Sequence, residues 1–218
     1  MKIQNACLSV LLALTLPTAV VRGAEIFNFS DANGASIQFN GSASSFQFVP
    51  NTGFQWSITS ESGGTGAANG LQGFFSGGPW SYGAITSISG LYTANVSPTS
   101  ATLTINDGAG HLATANVAWD QVATYGSAGY LNMSAVVNLS GMSYSGANVD
   151  LLNFFSSSAG ILTLSFQFNP AMTLSQLTAG SGPYITSFSG SLTSVPEPGV
   201  LGICALGFAF LGRRIFKR

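Results

Sequence analysis

Hydrophobic and polar residues alternate along most of the chain. Ile37 and Phe39, Phe46 and Phe48, and Phe54, Trp56 and Ile58 each stand at every second position between polar neighbours. That spacing lines one face of an extended segment, so it predicts half-buried β-strands. Shorter segments follow around Ile85 and Ile88, at Leu103 and Ile105, and over 111–119. The longest predicted strands are 130–139 and 161–168, and the second puts Leu162, Leu164, Phe166 and Phe168 on one face. A last strand is predicted within 183–192. Asn33-Gly34, Asn40-Gly41, Gly63-Gly64, Gly77-Gly78-Pro79 and Asp107-Gly108 interrupt the alternation where turns are needed, and the glycine-rich stretch 61–79 predicts a long loop. Ser and Thr dominate the outward positions, which suits strands better than helices. Two short helices are predicted, at 150–155 with Asp150 as N-cap and at 172–177 behind Pro170. The expected fold is all-β: one antiparallel β-sandwich or jelly-roll-like domain over residues 24–194.

Charge sharpens the picture. Of 218 residues 46% are hydrophobic and only 6% charged, against about 25% in an ordinary domain. The six cations are Lys2, Arg22, Arg213, Arg214, Lys217 and Arg218, so 23–212 contains none. Six carboxylates, Glu25, Asp31, Glu61, Asp107, Asp120 and Asp150, lie inside the predicted domain. A domain without cations has no clamp for phosphate and no basic patch, which excludes nucleic-acid binding. The glycines show no period of three, which excludes collagen.

Both ends read as addresses. Lys2, the apolar run 6–16 and Pro17 form a secretory signal over residues 1–23, with Val21 and Gly23 small enough for the sites flanking cleavage. Cleavage after Ala19 or Ala24 remains an alternative. At the other end Val195-Pro196-Glu197-Pro198 precedes an apolar run over 199–212 and then the basic tail of Arg213, Arg214, Lys217 and Arg218. Two prolines around one acid give an extended segment that a processing enzyme can grip. The apolar run predicts a transmembrane helix with the basic tail on the cytoplasmic side. As a helix it reaches about 21 Å against a hydrocarbon core of about 30 Å, so Ile215 and Phe216 extend it while the cations snorkel. An ordinary tail anchor without processing is the plainer alternative. Cys7 and Cys204, the two cysteines, both fall in these segments, leaving the domain without thiol chemistry.

Val195-Pro196-Glu197-Pro198, the hydrophobic stretch and the Arg-rich end, taken over 195–218, resemble the PEP-CTERM sorting signal of bacterial surface proteins. That resemblance implies an exosortase as processing partner and a bacterium that makes exopolysaccharide. It also implies a membrane-anchored precursor, held by its C-terminal helix, that is delivered to the cell surface, matrix or biofilm. Residues 119–192, notably 144–152 and 164–170, resemble ectodomains that precede such signals, a resemblance that brings no activity with it.

The domain offers few groups for chemistry. His111, the single histidine, could be matched with Asp107 or Asp120 and a serine, but no Gly-x-Ser-x-Gly elbow accompanies it. Asp107, Asp120 and Asp150 are the carboxylates from which a glycosidase pair would be drawn. Asp31-Ala32-Asn33-Gly34 and Asn106-Asp107-Gly108 carry oxygen ligands for calcium without matching a calcium-loop pattern, and turn formation explains them equally. Gly108-Ala109-Gly110 imitates a dinucleotide fingerprint, but the next residues alternate as a strand where a helix is required. Trp80 and Tyr82, beside Gly77-Gly78-Pro79, are the candidates for stacking on sugar rings, with Tyr125 and Tyr130 near another glycine-rich turn. The expectation is a non-enzymatic, exported surface or matrix protein without cofactor or metal, associated with exopolysaccharide. The alternatives are a carbohydrate-binding module and a secreted polysaccharide hydrolase.

Overall fold

A computed structural model describes residues 23–50 and 52–196. The expected signal peptide and transmembrane helix lie outside the described residues, as do Glu197, Pro198 and the basic tail. Among the described residues no helix is long and apolar enough to cross a membrane. Residues Ala24–Pro196 form one compact unit.

The unit is all-β and antiparallel, with sixteen strands among the described residues. In chain order they are β1 (Ile26–Asp31), β2 (Ser36–Asn40), β3 (Ser45–Val49), β4 (Trp56–Ser62), β5 (Gln72–Gly77), β6 (Trp80–Ser81), β7 (Thr86–Ile88) and β8 (Leu91–Asn95). There follow β9 (Ala101–Asn106), β10 (Leu112–Val117), β11 (Gln121–Tyr125), β12 (Ala128–Leu131), β13 (Leu139–Ser143), β14 (Ala159–Gln167), β15 (Tyr184–Thr186) and β16 (Phe188–Val195). Helix α1 (Val149–Phe155) joins β13 to β14, and α2 (Leu174–Ala179) lies between β14 and β15.

The sandwich expectation is corrected to a barrel. The strand order β13-β10-β9-β5-β4-β1-β16-β14 closes on itself because β13 also pairs with β14, through Leu139↔Gly160 and Ser140↔Ala159. Eight strands enclose a space that side chains fill. Phe27, Phe29, Trp56, Ile58, Leu103, Ile105, Leu162 and Leu192 do so here, each no more than 2% exposed. From β14 the ladder also runs outward through β12, β11, β8 and β7, and a second sheet, β15-β2-β3-β6, packs its aromatic face on the same core.

The sheet therefore forks along β14. Its first residues pair with β13 and its last, Leu164 to Gln167, with β12. Asn138, 6% exposed, fills the fork: its Oδ1 accepts from Leu162 N at 2.7 Å and its Nδ2 donates to Leu162 O at 3.1 Å. Its backbone N–H donates to Gly160 O at 3.1 Å. One side chain thus copies a strand's donor and acceptor where no strand runs, leaving no β14 main-chain group of Leu162 unpaired.

Local expectations hold unevenly. β2, β3, β9, β10 and β14 lie where alternation places them. Residues 130–139 are not one strand, because β12 ends at Leu131 and Asn132 and Ala135 adopt positive φ. Residues 183–192 split between β15 and β16, which belong to different sheets. The stretch 61–79 holds the end of β4 and all of β5, leaving 63–71 and 78–79 as loop. In α1 the N-cap is Asn148, whose side chain accepts from Asp150 N and Leu151 N, and Asp150 stands within the first turn. Thr173 and Gln176 cap α2 reciprocally.

Candidate functional site

Two places gather polar side chains. The first is the barrel end where β4 finishes, β1 begins and β9 turns into β10; α1 lies there, Phe154 stacked on Phe27 at 4.8 Å. Asp150 is 0% exposed. Its Oδ1 accepts from Thr65 N at 2.9 Å, its Oδ2 from Ala67 N at 2.6 Å, and the Thr65 hydroxyl reaches both oxygens. Burial alone would raise its pKa, but hydrogen bonds from Thr65, Ala67 and Glu61 outweigh it and hold the carboxyl below the usual range. Glu61 accepts from Gly66 N and from Ala68 N. Gly64 lies against three carboxyl groups: a Cβ would stand 2.5 Å from Glu25 Oε1, 2.7 Å from Glu61 Oε1 and 3.0 Å from Asp150 Cγ, so these side chains would have to shift to admit one.

Asp107 belongs to the same end through a relay. Its Oδ1 accepts from Ala109 N and His111 N, and its Oδ2 accepts from Tyr144 Oη at 2.8 Å and lies 3.2 Å from His111 Nδ1. Tyr144 Oη accepts from Asn148 N, and Asn148 Nδ2 donates to Ala67 O. Burial pushes the Asp107 pKa up, and the His111, Ala109 and Tyr144 hydrogen bonds bring it down to about 2. Burial and the nearby Asp107 push Tyr144 up.

These carboxylates act as turn and loop anchors. A glycosidase acid needs a raised pKa beside a second carboxylate; Asp107 and Asp150 are both lowered, and each spends its oxygens on backbone amides. Asp120 is exposed near the opposite end, its N–H donating to Asn132 Oδ1. The structure thus does not pair Asp107, Asp120 and Asp150. His111 is exposed and turns to Asp107, with no serine hydroxyl bonded to it among the described residues. Both calcium candidates resolve as turns: Asn106 Oδ1 and Asp107 Oδ1 accept from their own loop, and Asn33 Nδ2 donates to Phe54 O. Among the described residues no His, Cys, Asp and Glu cluster fits a metal ion.

A depressed carboxylate gives a testable pH response. Stability owed to Asp107 is present above the ordinary carboxyl pKa of 3.8 and is lost as pH falls through about 2. Tyr144→Phe removes one donor, so the variant should be less stable at pH 7 and lose less between pH 4 and pH 2. Urea midpoints at these pH values check this, and equal losses in both proteins would refute the role of Tyr144.

Trp80 and Tyr82 are not available to a sugar. They are 1% and 5% exposed. Trp80 sits on β6 with ring centroids 5.5 Å from Phe46, 5.8 Å from Phe48 and 5.6 Å from Trp119. Tyr82 Oη shares a hydrogen bond with Thr178 of α2 at 3.0 Å, and burial raises its pKa. Their faces are spent on the core, which corrects the stacking expectation. Tyr125 is 58% exposed and Tyr130 half-buried. Of the sorting motif, Val195 closes β16 and Pro196 is exposed.

The second place is the outer wall of the barrel, which sequence reasoning missed as a site. The outward residues of β4, β1, β16, β14 and β12 align into rows. One runs Ser60, Asn28, Ser191, Thr163, and the next Ser57, Ser30, Ser189, Ser165, Tyr130. Neighbours within the rows join hands: Asn28 Nδ2 donates to Ser60 Oγ at 3.0 Å, and Thr163–Ser191 and Ser165–Ser189 hydroxyls meet at 2.9 and 3.1 Å. The wall bears two adjoining depressions, of about 420 and 580 Å³, both lined by Ser30, Tyr130, Ser165 and Ser189. The sequence signal was the run of Ser and Thr at outward positions, which reads equally as ordinary strand surface.

Comparison with known proteins finds no matching family model, curated protein or solved structure.

Proposed function

We propose that this chain is an exported bacterial cell-surface or matrix protein, processed by an exosortase at a PEP-CTERM signal. Its β-domain is non-enzymatic and associates with exopolysaccharide. The observation that carries the reading is the order of Val195-Pro196-Glu197-Pro198, the apolar run 199–212 and the cluster Arg213, Arg214, Lys217 and Arg218. Two further features support it. The domain has neither a cation nor a thiol, and Glu61, Asp107 and Asp150 each accept from backbone amides. β16 ends at Val195, so the motif begins on the last residue of the final strand.

In cells of the producing bacterium, Glu197→Ala and truncation after Gly212 should each leave the precursor unprocessed. Immunoblots of membrane and surface fractions read this as retention of the longer form in the membrane. Normal processing of both variants would overturn the reading.

A further inference from the structure

We propose that the outer wall formed by β1, β16, β14 and β12 is a docking groove for a neutral polysaccharide chain, with Tyr130 as its stacking platform. The inference rests on the exopolysaccharide association proposed above and names its site.

The groove is built from hydroxyls and amides at regular spacing. Adjacent strands stand about 4.8 Å apart, so a chain lying across them meets Ser30, Ser189 and Ser165 in succession. Each hydroxyl has one proton and two lone pairs. In the Thr163–Ser191 pair one proton bridges the two oxygens, leaving the other proton and most lone pairs for a ligand, and the Ser165–Ser189 pair, whose Ser165 hydroxyl also reaches Ser189 O at 3.4 Å, keeps free lone pairs. Such a paired row is held in place before binding, which lowers the ordering cost of gripping a polyol.

Tyr130 supplies the apolar element. It ends the second row opposite Ser165 and lines both depressions. A half-buried tyrosine beside hydroxyls matches a sugar ring, which offers C–H surface on one face and hydroxyls at its rim. The two adjoining depressions, of about 420 and 580 Å³, offer room for a few sugar rings.

Charge selects the class. The lining carries no cation, and its single carboxylate is Asp31 at one end, so an anionic polysaccharide would find no clamp and one repulsion. A protein partner is disfavoured for a different reason: interface centres rest on large apolar or Arg anchors. Here the rows contain Ser, Thr and Asn with one tyrosine.

The test uses purified residues 24–196, which hold every described strand pairing and the whole described core. The probes are insoluble cellulose by pull-down, soluble dextran and galactomannan by affinity electrophoresis, and alginate as the anionic control. Retention on at least one neutral polymer and none on alginate is expected. Tyr130→Ala and, independently, Ser191→Arg should each weaken retention at least tenfold. Ser191 points outward, so a melting curve like that of the unaltered protein is expected for Ser191→Arg. Retention unchanged in both variants would overturn the groove while leaving the polysaccharide reading intact. No retention on any neutral polymer would overturn the groove and the polysaccharide association together, leaving the sorting reading to its own cell-based test. Self-association abolished by Ser191→Arg, without glycan retention, would reassign the wall to a second copy of the chain.

Discussion

Replacing Asp150 with alanine should lower the free energy of unfolding by about 3 kcal/mol, because hydrogen bonds to a charged group are each worth about 1.5–3 kcal/mol net. The carboxylate gathers Thr65 N, Ala67 N and the Thr65 hydroxyl onto one buried point. It thereby fixes the loop after β4 against the start of α1, where a negative charge also opposes the helix's partial positive end. Thr65 and Ala67 are exposed residues, so water re-pairs part of what is lost and keeps the cost from reaching the sum of the bonds. Asp150→Asn is the informative partner. It keeps the volume but turns an NH₂ group toward backbone N–H donors, so it should cost nearly as much as alanine. Urea unfolding at pH 7 with an unchanged denaturant slope reads both effects. If Asn behaves like the unaltered protein, Asp150 fills space and does not anchor the loop.

Trp80→Ala should cost about 3–5 kcal/mol, the range for removing a large aromatic from a packed core. Its indole touches Phe46, Phe48 and Trp119, and Trp119 in turn lies 5.4 Å from Phe75 of the barrel. Trp80 therefore belongs to the ring cluster that joins the second sheet to the barrel. Trp80→Phe should cost far less than alanine. It keeps most of the ring contacts and removes an indole N–H that has no hydrogen-bond partner among the described residues. Thermal unfolding monitored by near-UV circular dichroism checks the order. A loss below about 1 kcal/mol for alanine, well under the range for such truncations, would mean that the site collapses or that Trp80 is exposed.

The β class was legible because alternation is local: Ile37, Phe39, Phe46 and Phe48 announce β2 and β3 without reference to anything distant. Closure was not. It depends on Leu139 meeting Gly160 while β13 also pairs with β10, and no local pattern records which ladder a strand joins. Trp80 was misread for a related reason. Gly77-Gly78-Pro79 signals a turn, and a turn suggests exposure, yet β6 begins at once and points the indole inward to pair Phe46↔Trp80. The anchoring role of Asp150 was hidden too, since its partners Thr65 and Ala67 stand more than eighty residues away in sequence. The outer rows were visible as composition alone. Their alignment needs the register of four ladders, including the shift between Asn28 and Phe29 that sets Ser57 beside Ser30.

The Asn138 fork has a consequence for how copies of the domain coexist. By letting β13 and β12 share β14, it leaves the barrel itself without an end strand. Among the described residues the end strands of the two sheets are β7, β15 and β6, which are three, three and two residues long. Short strands make poor templates for cross-molecule pairing. A domain this apolar, without the mixed charges that usually keep molecules apart, therefore resists fibrous aggregation by topology. Crowded together, its copies meet through side chains and not through shared ladders.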